Sequence, residues 1–360
     1  MTPAPLAPVD PVSPTASIAD PTLWGVTIGA IVVLLAVDMF LTRRPHEVGM
    51  REAVGWSVFY IALPLAFGLW IWSSFGSRTG LEYYTGYLVE KSLSVDNLFV
   101  FIIILSAFAV PRHLQQRVLL FGIIGALVLR GIFIALGAAL IANFAATFLV
   151  FGLILLATAW KVLRDARSDS HGVDVATLPV VRLTRRFFPV TDDYRGTRLT
   201  VVEGSRRALT PLALVALAIL GTDVVFAVDS VPAVYGITGD PYLVFATNAF
   251  ALLGLRALYF VLEGALGKLR HLGYGLSVIL AFIGVKLVLH WAHGVWEGVP
   301  TVPTLASLLV ILGVLAVTVV TSLLADRRAG RRAAREATEE VREEAEVSPD
   351  RRPAPSDRRR

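Results

Sequence analysis

The chain contains no cysteine. Disulfides, iron–sulfur clusters and thiolate metal sites are therefore excluded. Charge is scarce too. Only 17% of the 360 residues are charged and 55% are hydrophobic, where a soluble domain carries about a quarter charged residues. Lysine occurs only at Lys91, Lys161, Lys268 and Lys286. No Gly-rich phosphate loop, Ser–His–Asp set or CxxC is present, so neither an enzyme nor a prosthetic group is expected. The first twenty residues hold no Lys or Arg. They lack the positive leader of a secretory signal, and the first apolar run is expected to stay as an anchor.

What the chain has in quantity is long apolar runs. A helix needs about twenty apolar residues to cross the hydrocarbon, and lipid offers backbone groups no other partners. The runs point to an all-α polytopic membrane protein with nine transmembrane helices, at 23–42, 54–74, 84–109, 115–140, 144–164, 208–235, 242–266, 271–292 and 302–325. Positive charge is concentrated in alternate loops, and only Arg78 follows the second run. Arg43, Arg44 and Arg51 follow the first run, Arg112 and Arg117 the third, and Arg167 to Arg207 fill the long connection. Lys268 and Arg270 precede the eighth run and the tail from Arg327 is basic, whereas loops 141–143, 236–241 and 293–301 have no Lys or Arg. By the positive-inside rule this gives N-out/C-in topology in a bacterial inner membrane. The net charge of +5 is thus a topology signal, and no nucleic-acid partner is expected.

The expected organisation is a disordered extracytoplasmic N-terminus (1–22), spans one to five (23–164), a cytoplasmic linker (165–207), spans six to nine (208–325) and a basic, largely disordered tail (326–360). The start of the tail suits a solvated helix. Its charge could also contact anionic lipid headgroups.

The chemistry lies in an internal repeat. The third run reads Glu90-Lys-Ser-Leu-Ser-Val-Asp96-Asn97, and the sixth reads Asp223-Val-Val-Phe-Ala-Val-Asp229-Ser230. The next run of each half carries a buried arginine, Arg130 or Arg256, and the one after it a lysine, Lys161 or Lys286. Three helices is an odd number, so the copies at 84–164 and 208–292 enter the membrane from opposite faces. That is an inverted-topology repeat, an architecture of secondary transporters with midplane sites.

A charged group at the bilayer centre costs roughly 2.5–3.5 kcal/mol on insertion scales, so these side chains must face each other or water. At about 100° per residue, Glu90, Ser94 and Asn97 share one helix face, and Asp223 and Ser230 repeat the offset. Asp96 and Asp229 sit off that stripe. Either they face other neighbours, or the helix is irregular, with Gly221 and Pro232 bracketing a segment that could unwind. Carboxylates, amides and hydroxyls are hard ligands that suit Mn²⁺, Mg²⁺ or Ca²⁺. The candidate metal set is Glu90, Asp96, Asn97, Asp223 and Asp229, with Ser94, Ser230 and Asn248 as further polar ligands. Arg130, Arg256, Lys286 and Asp38 are the charge-balancing or gating candidates. The same acids and arginines could instead be structural ion pairs.

At these residues the chain resembles the TerC family of integral membrane proteins, which includes Alx-type manganese exporters. The matching segments are Glu90 to Asn97, Leu129 to Ile134, Thr222 to Ala233 and Thr247 to Phe260, within a similarity over about 20–326. The resemblance implies a fold related to the lysine-exporter superfamily and Mn²⁺ efflux, with an older association with tellurium resistance. It places the family's acidic site at Glu90, Asp96, Asn97, Asp223 and Asp229. The resulting expectation is a transporter exporting Mn²⁺, with protons as candidate counter-ion, Asp96 and Asp229 as central ligands, and Glu90 and Asp223 as a second layer. The alternatives are a non-transporting membrane assembly scaffold and an oxyanion (tellurite) pathway through the arginines.

Overall fold

The computed structural model describes residues 17–41, 49–167, 179–191, 193–203, 206–262, 271–296 and 298–347; the side chains of a few of these, Asp96 among them, fall outside the description. The expected 1–22 segment is therefore described only from residue 17, and Lys268 and Arg270 lie outside the described residues. The described residues form ten helices: α1 (Pro21–Leu41), α2 (Met50–Ala107), α3 (Arg112–Asn143), α4 (Thr147–Arg167), α5 (Pro179–Phe187), α6 (Pro211–Tyr235), α7 (Pro241–Leu253), α8 (Leu255–Leu262), α9 (Leu272–Val295) and α10 (Thr304–Val347). Among the described residues, eight helices are long and apolar enough to cross a membrane, with α7 and α8 forming one of them. Large apolar side chains such as Phe40, Leu69, Trp160 and Val317 are exposed on the outer helices. A bilayer, not water, is the solvent that such a surface fits.

The longest helix is really a hairpin. Gly76 has φ 88° and ψ 171°, a region open essentially to glycine alone. Either side of it the chain packs back on itself. A Cβ on Gly80 would stand 2.8 Å from Trp72, and one on Gly68 would stand 2.6 Å from Tyr84. The Tyr83 hydroxyl donates to the Pro64 carbonyl at 3.0 Å, and Tyr84 donates to Leu65 at 2.8 Å. Glycines thus let two antiparallel arms approach closely, as small residues do between membrane helices. The arms contain the second and third apolar runs of the sequence, and each is longer than a crossing requires.

The second arm of α2 joins α3, α6 and α7 at the centre of the molecule. Helix α3 runs parallel to α6, with Gly122 against Ile219, Gly125 against Leu220 and Gly137 against Tyr235. The second arm of α2 runs parallel to α7, since Gly86 meets Thr247 and Lys91 meets Gly254. Helices α4 and α9 cross antiparallel through Gly152 and Gly284, with Phe148 edge-on to His290. Helix α7 is the most enclosed of the spans, and α1 and α10 are the least.

The fold is mostly helical, as expected, and the expected linker adds one short hairpin in which strands β1 (Thr200–Glu203) and β2 (Arg206–Leu209) pair antiparallel. Outside the hydrocarbon, water satisfies the edges of a short open sheet, so this exception sits where it can. Of the two alternatives for the sixth run, the unwound one is ruled out: the segment between Gly221 and Pro232 stays helical, because α6 is continuous from Pro211 to Tyr235. Pro232 removes one N–H near the end of a helix packed on several sides, and that single loss does not break it. The backbone interrupts itself instead at Gly76 and at Gly254, where α7 gives way to α8.

Replacing Gly76 by Val is expected to destabilise the protein by about 1–3 kcal/mol through the strained backbone. Thermal loss of monodisperse protein in detergent measures it. Gly29→Ala, at a glycine with open space around it, is the control. Equal midpoints for the two variants would sink this account of the turn.

Candidate functional site: a buried arginine held by two carboxylates

Helix α3 carries Arg130 into the centre, where the residue is 0% exposed. Its guanidinium gathers oxygen atoms from three other helices. Nε donates to Asp223 Oδ2 at 3.1 Å and Nη2 to Asp223 Oδ1 at 2.9 Å, a bidentate clamp. Nη1 donates to Asn248 Oδ1 at 2.9 Å and makes a close ion pair with Glu90 Oε1. In the amide orientation that satisfies both its ends, Asn97 accepts from Nη2 at 3.1 Å and donates to the Leu93 carbonyl at 3.0 Å. Asn248 is fixed in turn by donating to the Val244 carbonyl at 3.0 Å. The arginine is therefore fully enclosed by hard oxygen ligands.

The helical spacing that links the expected residues holds. Glu90, Ser94 and Asn97 are all buried on the second arm of α2, as are Asp223 and Ser230 on α6. Three of their atoms, Glu90 Oε2, Ser94 Oγ and Ser230 Oγ, are buried without a hydrogen-bonding partner. Such groups are costly to leave unpaired in a low-dielectric interior, so they mark where a further ligand fits. Two carboxylates against one guanidinium leave the cluster with one formal negative charge in excess. Among the described residues, however, no three His, Asp or Glu side chains gather as a metal-holding group.

The other expected residues are dispersed. The Asp96 side chain lies outside the described residues, and Asp229 is only partly buried. Among the expected acids whose side chains are described, Glu90 and Asp223 are the most deeply buried. Arg256 does not join Arg130; it forms a close ion pair with Asp38 of α1. Lys286, partly buried in α9, has Glu82 as its electrostatic neighbour, and Lys161 is exposed. The two halves thus share a pattern of residue types but differ in what those residues contact.

Two features escape a reading by motif. Glu82 accepts from Thr238 at 2.8 Å and pairs with Arg78 at 3.2 Å, tying the start of the second α2 arm to the chain after α6. Lys91 points its buried, unpartnered amine at Gly254. A Cβ there would stand 3.1 Å from that amine, so the glycine at the α7–α8 break makes room for it. The sequence signal was available in the Gly between Leu253 and Leu255, inside an apolar run where glycine is otherwise costly.

The family described as integral membrane protein TerC matches residues 75–330, which contain every member of this cluster. The chain belongs to the TerC family of integral membrane proteins. An uncharacterised membrane protein of Mycobacterium tuberculosis is 48% identical over 275 residues, covering 75% of this chain and 69% of its own. An uncharacterised membrane protein of Myxococcus xanthus is 41% identical over 274 residues, 76% of this chain and 85% of its own. The Escherichia coli protein Alx, whose name proposes a membrane-bound redox modulator, is 39% identical over 283 residues, 76% and 87% of the two chains. No solved structure matches.

Removing the guanidinium from this TerC protein leaves two buried carboxylates uncompensated. Arg130→Met is expected to cost about 3–5 kcal/mol, as breaking a buried pair from one side does. Adding Glu90→Gln and Asp223→Asn to the same chain should restore most of the loss. Detergent thermostability of the single and triple variants checks this, and a triple variant no more stable than Arg130→Met would refute the charge account.

Proposed function

We propose that this TerC protein is a bacterial inner-membrane secondary transporter that exports a hard divalent cation, with Mn²⁺ as the favoured substrate. The observation that carries the reading is the enclosure of one cation, the Arg130 guanidinium, by oxygen atoms of Glu90, Asp223, Asn97 and Asn248. The same carboxylates and amides suit Mn²⁺, and no thiolate exists to favour a soft metal. Two carboxylates match a divalent charge better than they match one arginine. Substrate would displace Arg130, using the unpartnered Glu90, Ser94 and Ser230 oxygens as additional ligands. When the ion leaves, Arg130 returns and keeps the emptied acids neutral enough to persist in lipid. Asp96 and Asp229 are then path ligands, with protons as the candidate counter-ion. The protein would carry out transport, not catalysis, and would need no prosthetic group.

Alternating access would follow from the inverted repeat of spans 3–5 and 6–8, counted over nine spans with N-out/C-in topology. The exchange of partners between halves supports this. A two-fold axis in the membrane plane maps the α3–α6 contact onto the α2–α7 contact, and both pairs are parallel. It maps the α4–α9 pair onto itself, which requires the antiparallel crossing found there.

The name of the Alx relative favours a second reading, an effect on redox state. This chain has no cysteine, so thiol exchange within it is excluded. A redox effect would run through its manganese content. In a scaffold the cluster would be structural, and in an oxyanion pathway the arginines would be the binding groups. Neither accounts for a carboxylate excess around an already paired arginine.

The deciding experiment is ⁵⁴Mn²⁺ flux into liposomes holding the purified protein, scanned against Ca²⁺, Mg²⁺ and Zn²⁺ under imposed pH gradients. Glu90→Gln, Asp96→Asn, Asp223→Asn and Asp229→Asn should each abolish or strongly reduce flux while protein level stays unchanged. Cells making these variants should accumulate manganese. Absence of divalent flux under every gradient would overturn the proposal.

A further inference from the structure

Helix α5 lies in the long connection before α6, outside the repeat and outside the charged cluster. Its Val181 and Thr184 are buried, and Val181 packs in one apolar cluster with Val110, Leu114 and Leu212. Those neighbours stand where α2 ends and where α3 and α6 begin. The segment just after α5 is tied to the same level, because the Tyr194 hydroxyl donates to the Phe108 carbonyl at 2.8 Å. Helix α5 is therefore pinned beside the ends of three central spans, at the height where they leave the hydrocarbon.

Its other side is unusual for a connection between spans. Leu183 and Phe187, four residues apart on one face, are 57% and 68% exposed, and Phe188 beyond them is 55% exposed. Arg182 and Arg186, also four apart, are exposed along the adjoining face. At about 100° per residue the arginines lie between the buried strip and the apolar one. An aromatic and aliphatic edge bordered by arginines is the arrangement of an interfacial amphipathic helix, whose apolar side enters the acyl boundary while its cations meet phosphate.

We propose that α5 engages the anionic bilayer surface beside the central spans, with Leu183, Phe187 and Phe188 in the acyl boundary and Arg182 and Arg186 on lipid phosphate. The occupant is lipid for two reasons on the molecule itself. The helix is already held at the membrane level by Val181 and Tyr194, and its exposed charges are all positive. Such contact would fix the start of α6, and with it the helix that carries Asp223.

The absence of cysteine makes the test direct. Single variants Leu183→Cys, Phe187→Cys and Asp193→Cys of the full chain are spin-labelled and reconstituted in phosphatidylcholine alone or with phosphatidylglycerol. Collision with oxygen and with a water-soluble nickel chelate is then read. The expected result is loss of nickel collision at 183 and 187, but not at 193, when phosphatidylglycerol is present. Reversal of that loss is expected on adding Arg182→Gln and Arg186→Gln. Labels open to nickel in both bilayers overturn the proposal. So do labels shielded equally in both and unmoved by the arginine changes, and so does dipolar broadening at 187, which would place a second copy there. None of these readouts depends on which ion is transported.

Discussion

The interior of this protein is organised around one guanidinium. Glu90, Asp223, Asn97 and Asn248 come from three helices, and each alone would be an expensive polar group in lipid. Arg130 makes their burial tolerable, and they make its burial tolerable. The arrangement binds α2, α3, α6 and α7 into one body more specifically than apolar packing could, because lipid tails are as apolar as the side chains and give helices no hydrophobic reason to associate. Glycines at Gly86, Gly122, Gly125 and Gly137 then bring the backbones close enough for the short Asp and Asn side chains to reach.

That cluster is also mechanically ambivalent. A pair that breaks even between desolvation and attraction is a poor source of stability but a good switch, since a competing cation can replace the internal one at modest net cost. The second arginine illustrates the alternative state of the same residue type. Arg256 stands in the same sequence pattern as Arg130, yet it is held by Asp38 on α1.

Much of this was legible in the sequence because membranes make sequences explicit. Runs such as 115–140 and 271–292 must be helices, and α3 and α9 fall on them. The polar stripe of Glu90, Ser94 and Asn97 follows from helical periodicity, and those residues are buried together. Less legible were events that depend on one residue's backbone. A turn between the runs 54–74 and 84–109 was expected, but not that Gly76 makes it, and the signal at Gly254 was a single glycine in an apolar run, whereas Gly221 and Pro232 looked like a break and are not one. The β1–β2 hairpin was hidden because its residues are outside lipid, where composition constrains structure weakly.

By itself the sequence determined the solvent of the fold, the helical character of its spans, the exclusion of thiol chemistry and the identity of the residues that must find partners inside. Burial in lipid compels these, since a charge or an open backbone group there has few tolerable places to be. Only the tertiary structure decided the pairings. It put both Glu90 and Asp223 on Arg130, sent Arg256 to Asp38, and left Asp229 partly exposed. Which acid meets which base is a matter of a few ångströms between helices far apart in sequence, and local pattern carries no record of that distance.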